Sequence, residues 1–140
     1  TTIQSQYDAW AGGALFNADD NGDGVENGLA WILGAANPNA SALGLLPAVS
    51  TSGVNMLFTF KRNQASINAN TALTIDVGTT LASWPNGYNV GADTAGSSAG
   101  VTIAKDSPVS GTDTVTLTVT KSPDAKKFAR LKATQNVEVP

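Results

Sequence analysis

The chain of 140 residues contains no cysteine and no histidine. That excludes disulfides, thiolate nucleophiles, imidazole general bases and zinc sites built on Cys or His. Any resident metal must then be held by oxygen, which favours calcium or magnesium. Charge is sparse: 14% of residues are charged, with 8 Lys and Arg against 11 Asp and Glu, for a net charge of −3 and a pI near 4.6. The basic residues form no stripe, so a nucleic-acid partner is not expected. Apolar runs stay far shorter than the roughly 18 residues of a membrane span. The chain opens at Thr1 without a signal-type segment, which reads as a processed mature chain or an excised domain. Its polar residues are mainly Thr, Ser, Asn and Gly, a composition that suggests an extracellular, cell-surface bacterial protein.

Against this low background, "ADDNGDGVENGLAWIL" (18–33) gathers four acidic residues, Asp19, Asp20, Asp23 and Glu26, with Asn21 and Asn27. Calcium takes about six to eight oxygens, which a compact loop supplies from alternating positions. Counting Asp19 as position 1, Asn21 is position 3, Asp23 position 5 and Gly24 the position-6 turn. Val25 offers its carbonyl at position 7 and Asn27 stands at position 9, in the D-x-[DN]-x-[DN]-G pattern. The expected ligands are Asp19, Asn21, Asp23 and Val25, with Asn27 assisting. Position 12, ordinarily a bidentate Glu, is Ala30; Asp8, Asp20, Glu26 or water are the candidates to complete the shell. The competing reading is a solvated Asx-rich turn that caps the following helix.

Around the loop, Tyr7, Trp10, Ala11, Ala14 and Leu15 recur at helical spacing and predict a helix over 3–16, weakened by Gly12 and Gly13. Val25, Leu29, Ile32 and Leu33 predict a second helix over 26–35, with Gly34 as terminator. Trp10 and Trp31 are expected to pack between the helices. A Gly/Pro/Ser/Ala connection covers 37–53. The period then changes to two: Val54, Met56, Phe58 and Phe60; Leu73, Ile75 and Val77; Val101 and Ile103; Val115, Leu117 and Val119. "KFARLKA" (127–133) buries either Ala129, Leu131 and Ala133 or Phe128, and "NVEV" (136–139) reads as a last short strand. "WPNGY" (84–88) reads as a turn. The expected fold is α+β and mainly β in a single domain over 1–140. A helix–calcium loop–helix (1–36) packs on an antiparallel, immunoglobulin- or fibronectin-like sandwich (54–140).

Trp10, "DDNGDGVENGLAWILG" (19–34), "TTLASW" (79–84) and "FARLKA" (128–133) together resemble a module found in many secreted bacterial proteins. Its pattern is a tryptophan, a D-x-D-G-D-G loop and a β-sandwich with S..L..W and F-x-R-L-x-V segments. The loop is also similar to dockerin, EF-hand-like and thrombospondin type 3 calcium loops. The resemblance implies a non-catalytic, often C-terminal, calcium-stabilised module; Ala30 and Trp31 depart from its Glu and Tyr.

No catalytic constellation accompanies the loop, so the chain is not expected to be an enzyme. Asp76, Asp93, Asp106, Asp113, Asp124 and Glu138 read as solvated loop charges, and no histidine exists to activate a serine. "NAS" (39–41) fits a glycosylation triplet. Two functions follow as expectations. One is a structural subunit, filament- or matrix-like, that associates with copies of itself through a terminal segment: the helix around Tyr7 and Trp10, or "NVEVP". "DTVTLTVT" (113–120) then offers an unprotected sheet edge. The other is an accessory module of a secreted enzyme that binds polysaccharide, with Trp84 and Tyr88 stacking on sugar rings.

Overall fold

The computed structural model describes residues 6–68, 71–121, 124 and 126–135; the "NVEV" segment and residues 3–5 of the first expected helix lie outside them. The described chain is mainly β. Its strands are β1 (Ala48–Ser52), β2 (Asn55–Asn63), β3 (Thr71–Gly78), β4 (Asn86–Val90), β5 (Val101–Ala104), β6 (Thr112–Thr120) and β7 (Phe128–Gln135). All pairings are antiparallel. They form one sheet in the order β1-β2-β6-β5 and another in the order β4-β3-β7.

Alternation along each strand explains how the sheets face each other. Met56, Phe58 and Phe60 of β2 and Val115, Leu117 and Val119 of β6 are buried with Leu73, Ile75 and Val77 of β3 in one core. Successive side chains point to opposite faces, so one apolar set per strand suffices. On β7, Ala129, Leu131 and Ala133 pack against that core, which decides between the two alternatives left open for "KFARLKA". Val54, the first member of the β2 series, is instead 59% exposed, because it stands beside Gly53 in the tight turn between β1 and β2.

Three expectations about the strands are corrected. β1 lies inside the stretch read as a connection over 37–53. All five of its residues are exposed, so no alternation marks it; it exists because the turn at Gly53 folds it onto β2 in register, Ser52 opposite Asn55 and Ala48 opposite Thr59. Asn86 and Gly87 do not form a turn but begin β4, opposite Val77 and Asp76. The reversal falls earlier, closed by a bridge between Thr80 and Ser83. And "DTVTLTVT" is no edge: β6 is flanked by β2 and β5, and all but the last of its threonines are half-buried.

The sheet edges are treated unequally. Ser98 donates its N–H to the Asn89 carbonyl and its Oγ accepts from Asn89 N–H, while Ser97 Oγ accepts from Gly91 N–H. The same loop sends Thr94 Oγ1 to Ile103 N–H at 2.8 Å. One short polar segment thereby covers the outer edges of both β4 and β5. Among the described residues, no main-chain hydrogen bond reaches β1 or β7 from the far side.

Two short helices precede the strands. α1 spans Gln6–Ala11 and stops short of residue 16, because Gly12 and Gly13 both turn to positive φ, 59° and 100°. Leu15 is therefore off the helical face and 73% exposed. α2 spans Asn27–Leu33 and ends at Gly34, whose φ of 99° lets its N–H and the next reach back to Trp31 and Ala30. Tyr7 lies edge-on to Phe16 and Trp31, with ring centroids 5.0 and 5.5 Å away. Trp10 donates its indole N–H to the Ala35 carbonyl at 2.8 Å. Trp31, Ile32 and Leu33 then enter the same core as the strands, with α2 touching β2 and β7.

α2 approaches so closely that a Cβ at Gly28 would overlap the Phe16 ring, whereas one at Gly44 would meet nothing within 4 Å. Gly28→Ala should lower stability by about 1–3 kcal/mol, the usual range for overpacking. Gly44→Ala should leave the denaturation midpoint close to that of the parent. Chemical denaturation of the two variants side by side is the check.

Candidate metal centre

Main-chain bonds close the acidic loop before any side chain contributes. Asn27 N–H donates to the Ala18 carbonyl at 2.7 Å and Gly28 N–H to the Phe16 carbonyl at 2.8 Å, joining the two ends of segment 19–26. Gly22 and Gly24 take positive φ, 69° and 88°, inside it, a conformation glycine adopts without a Cβ penalty. Within this frame Asp19 Oδ2 accepts from Gly24 N–H at 2.8 Å, so the first and sixth positions meet. Asn21 Oδ1 accepts from Asp23 N–H, and Asp23 Oδ1 from Val25 N–H; both are Asx turns.

Asp23 and Asn21 also tie the loop to the next segment. Asp23 Oδ2 accepts from Ala42 N–H at 2.7 Å and Asn21 Nδ2 donates to the Ala40 carbonyl at 2.7 Å. The N–H of Ala42, then that of Val25, hold the Asp23 carboxyl below its ordinary value; the side chain of Asn21 lowers it further, against some desolvation. Hydrogen bonds of this kind favour the ionised form. Ala42 is fully buried beside Val25, Ala30 and Ala35. Residues 40–42 are thus part of the site's support, although nothing in their side chains signals it.

Asn27 differs from the ligand expected at the ninth position. It is 2% exposed, its Nδ2 donates to the Leu15 carbonyl and to Asp20 Oδ1, and its Oδ1 accepts from Asp20 N–H. It organises the loop from behind. Ala30 is buried and apolar. The competing cap also takes a different form: Glu26 stands at the N-cap of α2 and makes no side-chain capping bond. Among the described residues no three carboxylates are drawn together as a cage. The oxygens of Asp19, Asn21, Asp23 and the Val25 carbonyl have the hard chemistry calcium prefers, and two of the groups carry charge. They fit a weak oxygen-ligated site with water completing the shell.

The two aromatic residues singled out for stacking are separated by the sheet. Tyr88 stands opposite Ile75, which is fully buried, and packs against the core. Trp84 lies against outward-facing Arg130, whose guanidinium carbon is 4.4 Å from the ring centroid. Arg130 in turn binds Asp76 at 3.2 Å.

One acid read as a loop charge is the opposite. Asp113 is fully buried and pairs with Arg62, 3% exposed, at 3.2 Å. Asp113 Oδ1 accepts from Gln64 Nε2 and from Asp106 N–H, and Lys105 approaches to 3.9 Å. Arg62 donates onward to the carbonyls of Gly91 and Ala92, linking the two sheets. Position parity was the available signal: Arg62 follows Met56, Phe58 and Phe60 on the inward face of β2, and Asp113 precedes Val115 on that of β6. The remaining acids stay near the surface: Asp93 and Asp106 accept from Gly96 and Gly111 N–H in turns, and Asp124 meets Lys127 at 3.5 Å. Glu138 lies outside the described residues.

No protein-family model matches the chain, and no curated protein and no solved structure is significantly similar to it.

Burial alone pushes the Asp113 carboxyl up, but hydrogen bonds from Gln64, Asp106 N–H and Arg62, with the Lys105 charge, outweigh it and leave the group below its ordinary 3.8. The unfolded chain therefore binds this proton more readily. The stabilisation is present above about pH 4 and lost as pH falls through the depressed folded value. Asp113→Asn should cost about 3–5 kcal/mol at neutral pH by leaving Arg62 buried and unpaired. Its stability should also fall less steeply than that of the parent in acid, as read from urea midpoints across a pH series.

Proposed function

We propose that this is a non-catalytic, calcium-stabilised structural module of an extracellular surface, one that associates with copies of itself. The observation that carries the reading is the loop: main-chain bonds from Asn27 to Ala18 and from Gly28 to Phe16 close it, and Asp19, Asn21 and Asp23 side-chain oxygens are ordered within it. Asp19, Asn21, Asp23 and the Val25 carbonyl hold the ion; Asn27 and Asp20 keep the loop's ends together. When bound, calcium supplies positive charge that relieves repulsion between Asp19 and Asp23. Because Asp23 also holds Ala42, the ion stiffens the joint between the loop, α2 and the segment entering β1. The order β1-β2-β6-β5 facing β4-β3-β7 supports an immunoglobulin- or fibronectin-like arrangement, in which helix–calcium loop–helix and sandwich form one unit. Extracellular millimolar calcium suits a loop that lacks the twelfth-position Glu.

A second reading, a polysaccharide-binding accessory module, is favoured by one observation. The outward face of β4-β3-β7 is a polar row, with Asn89 opposite Thr74, Lys132 on its other side, and Asp76 beside Arg130. Trp84 lies at its rim.

Thermal unfolding in calcium and in excess chelator tests the first reading. A hundredfold excess of calcium over its dissociation constant should add about 2.7 kcal/mol; coincident midpoints would remove the calcium claim. Asp19→Ala should abolish the calcium increment, and Asp23→Ala should lower the midpoint in chelator as well, since it also releases Ala42. For the second reading, affinity electrophoresis through a panel of polysaccharides should retard the parent and not Trp84→Ala; equal mobility throughout would reject it.

A further inference from the structure

Among the described residues, β1 is the sheet edge that neither cover nor charge protects. At β4 and β5 the N–H groups of Asn89, Gly91 and Ile103 are held by the hydroxyls of Ser98, Ser97 and Thr94. β7 carries Arg130 and Lys132, side chains of the kind that blunt an exposed edge. β1 lies instead within a stretch, 27–60, that contains no charged residue, and all of its residues are exposed. Val49 stands opposite Phe58, which is buried, so it points to the core side of the sheet. It is nevertheless 57% exposed. β1 overhangs the core, because the facing sheet has one strand fewer.

The turn at Gly53 fixes which main-chain groups β1 turns outward. Gly53 has a φ of 59° and begins a two-residue turn that closes on the pair Ser52 and Asn55. The pair flanking such a turn exchanges both hydrogen bonds, and bonded pairs alternate with non-bonded ones along an antiparallel ladder. Ser52, Ser50 and Ala48 therefore bond to β2, while the N–H and C=O of Val49 and Thr51 point away from it. A two-fold axis at Ser50 sets Val49 of one copy against Thr51 of a second, the bonded type of pair, and Ser50 against Ser50, the non-bonded type. The same axis brings Leu46 of each copy level with the Gly53–Val54 turn of the other; Leu46 is 46% and Val54 59% exposed. Outward main-chain groups and exposed apolar side chains thus obey one symmetry. No charge on either strand opposes it, which is what a surface that meets its own copy requires.

We propose that two copies of the chain pair through β1, antiparallel about Ser50, so that one sheet runs continuously across both molecules. About four main-chain bonds join the strands. Val49, diagonal to Val49 of the other copy, and Leu46 add the apolar contact that so short a strand needs. The contact is isologous, so it closes as a pair. This rests on the self-association in the proposed function and names the surface that carries it.

The test uses the full chain with calcium, by sedimentation across a concentration series. Thr51→Pro removes an N–H that β2 does not use, a change an edge strand tolerates, and Val49→Lys puts a charge on the edge. Each should weaken the pair by roughly tenfold or more, with an unfolding midpoint close to that of the parent. The chain has no native cysteine, so Ser50→Cys is a direct probe. Non-bonded antiparallel partners stand about 4.5 Å apart between Cα atoms, within disulfide reach. Mild oxidation should give covalent dimers of Ser50→Cys and not of Val109→Cys, an exposed site in the loop between β5 and β6. If the parent associates but Thr51→Pro and Val49→Lys associate equally, and Ser50→Cys cross-links no better than Val109→Cys, the β1 pair is wrong while self-association stands. If association is lost on deleting residues 136–140 and Ser50→Cys does not cross-link, the edge takes that terminal segment of another copy, and the two-fold pair is overturned. If the parent is a monomer at high concentration, both readings fail.

Discussion

A single buried amide organises the first quarter of this chain. Asn27 holds the Leu15 carbonyl with one hydrogen and Asp20 with the other, and its oxygen takes the Asp20 N–H. With its own N–H on Ala18, it brings the two ends of the acidic loop together and fixes where α2 starts. Everything downstream depends on that start. Phe16 meets Gly28, Tyr7 meets Trp31, and Ile32 and Leu33 enter the space between the sheets. A helix of seven residues has little intrinsic stability, so its place is set by this lock at one end and by the core along its length.

The Arg62–Asp113 pair performs a related task in the sandwich. Two charges were withdrawn from water at a cost that a pair of apolar residues would not incur. In return, a single cation reaches across from β2 to the end of β4 and ties loops at one pole to both sheets. Gln64 and the Asp106 turn are gathered onto the same carboxylate. An apolar pair would fill the volume without directing those loops, which is the kind of register-setting role buried polar groups can serve.

The strands with alternating apolar residues were legible, because a period of two with large side chains has few other uses. Gly34 was legible as a stop, and Ala129, Leu131 and Ala133 as one of two faces. What escaped reading was set by context. β1 carries no buried residue and owes its strand to the turn at Gly53. Gly12 and Gly13 were visible as weak points, but their positive φ ends α1 outright. Gly87 looks like a turn residue and serves in a strand facing Asp76. Asp113 looks like any surface acid until Arg62, 51 residues earlier, is known to lie beside it. In the loop, the Asx and glycine residues were legible as turn formers, and Asp19, Asn21 and Asp23 accept main-chain N–H groups there. The inward commitment of Asn27 and the tether to Ala40 and Ala42 depend on folding that local spacing does not encode.

The polar loop holding Thr94, Ser97 and Ser98 makes the two flanks of the sandwich unequal. A β-sheet with bare edges on both sides can grow in either direction, and identical neighbours can zip together without limit. Here one flank has the N–H groups of Asn89, Gly91 and Ile103 already held by hydroxyls. Strand addition at the flank of β4 and β5 would have to displace these bonds first. The two flanks of one sandwich thus differ in how readily each could take up an extended strand.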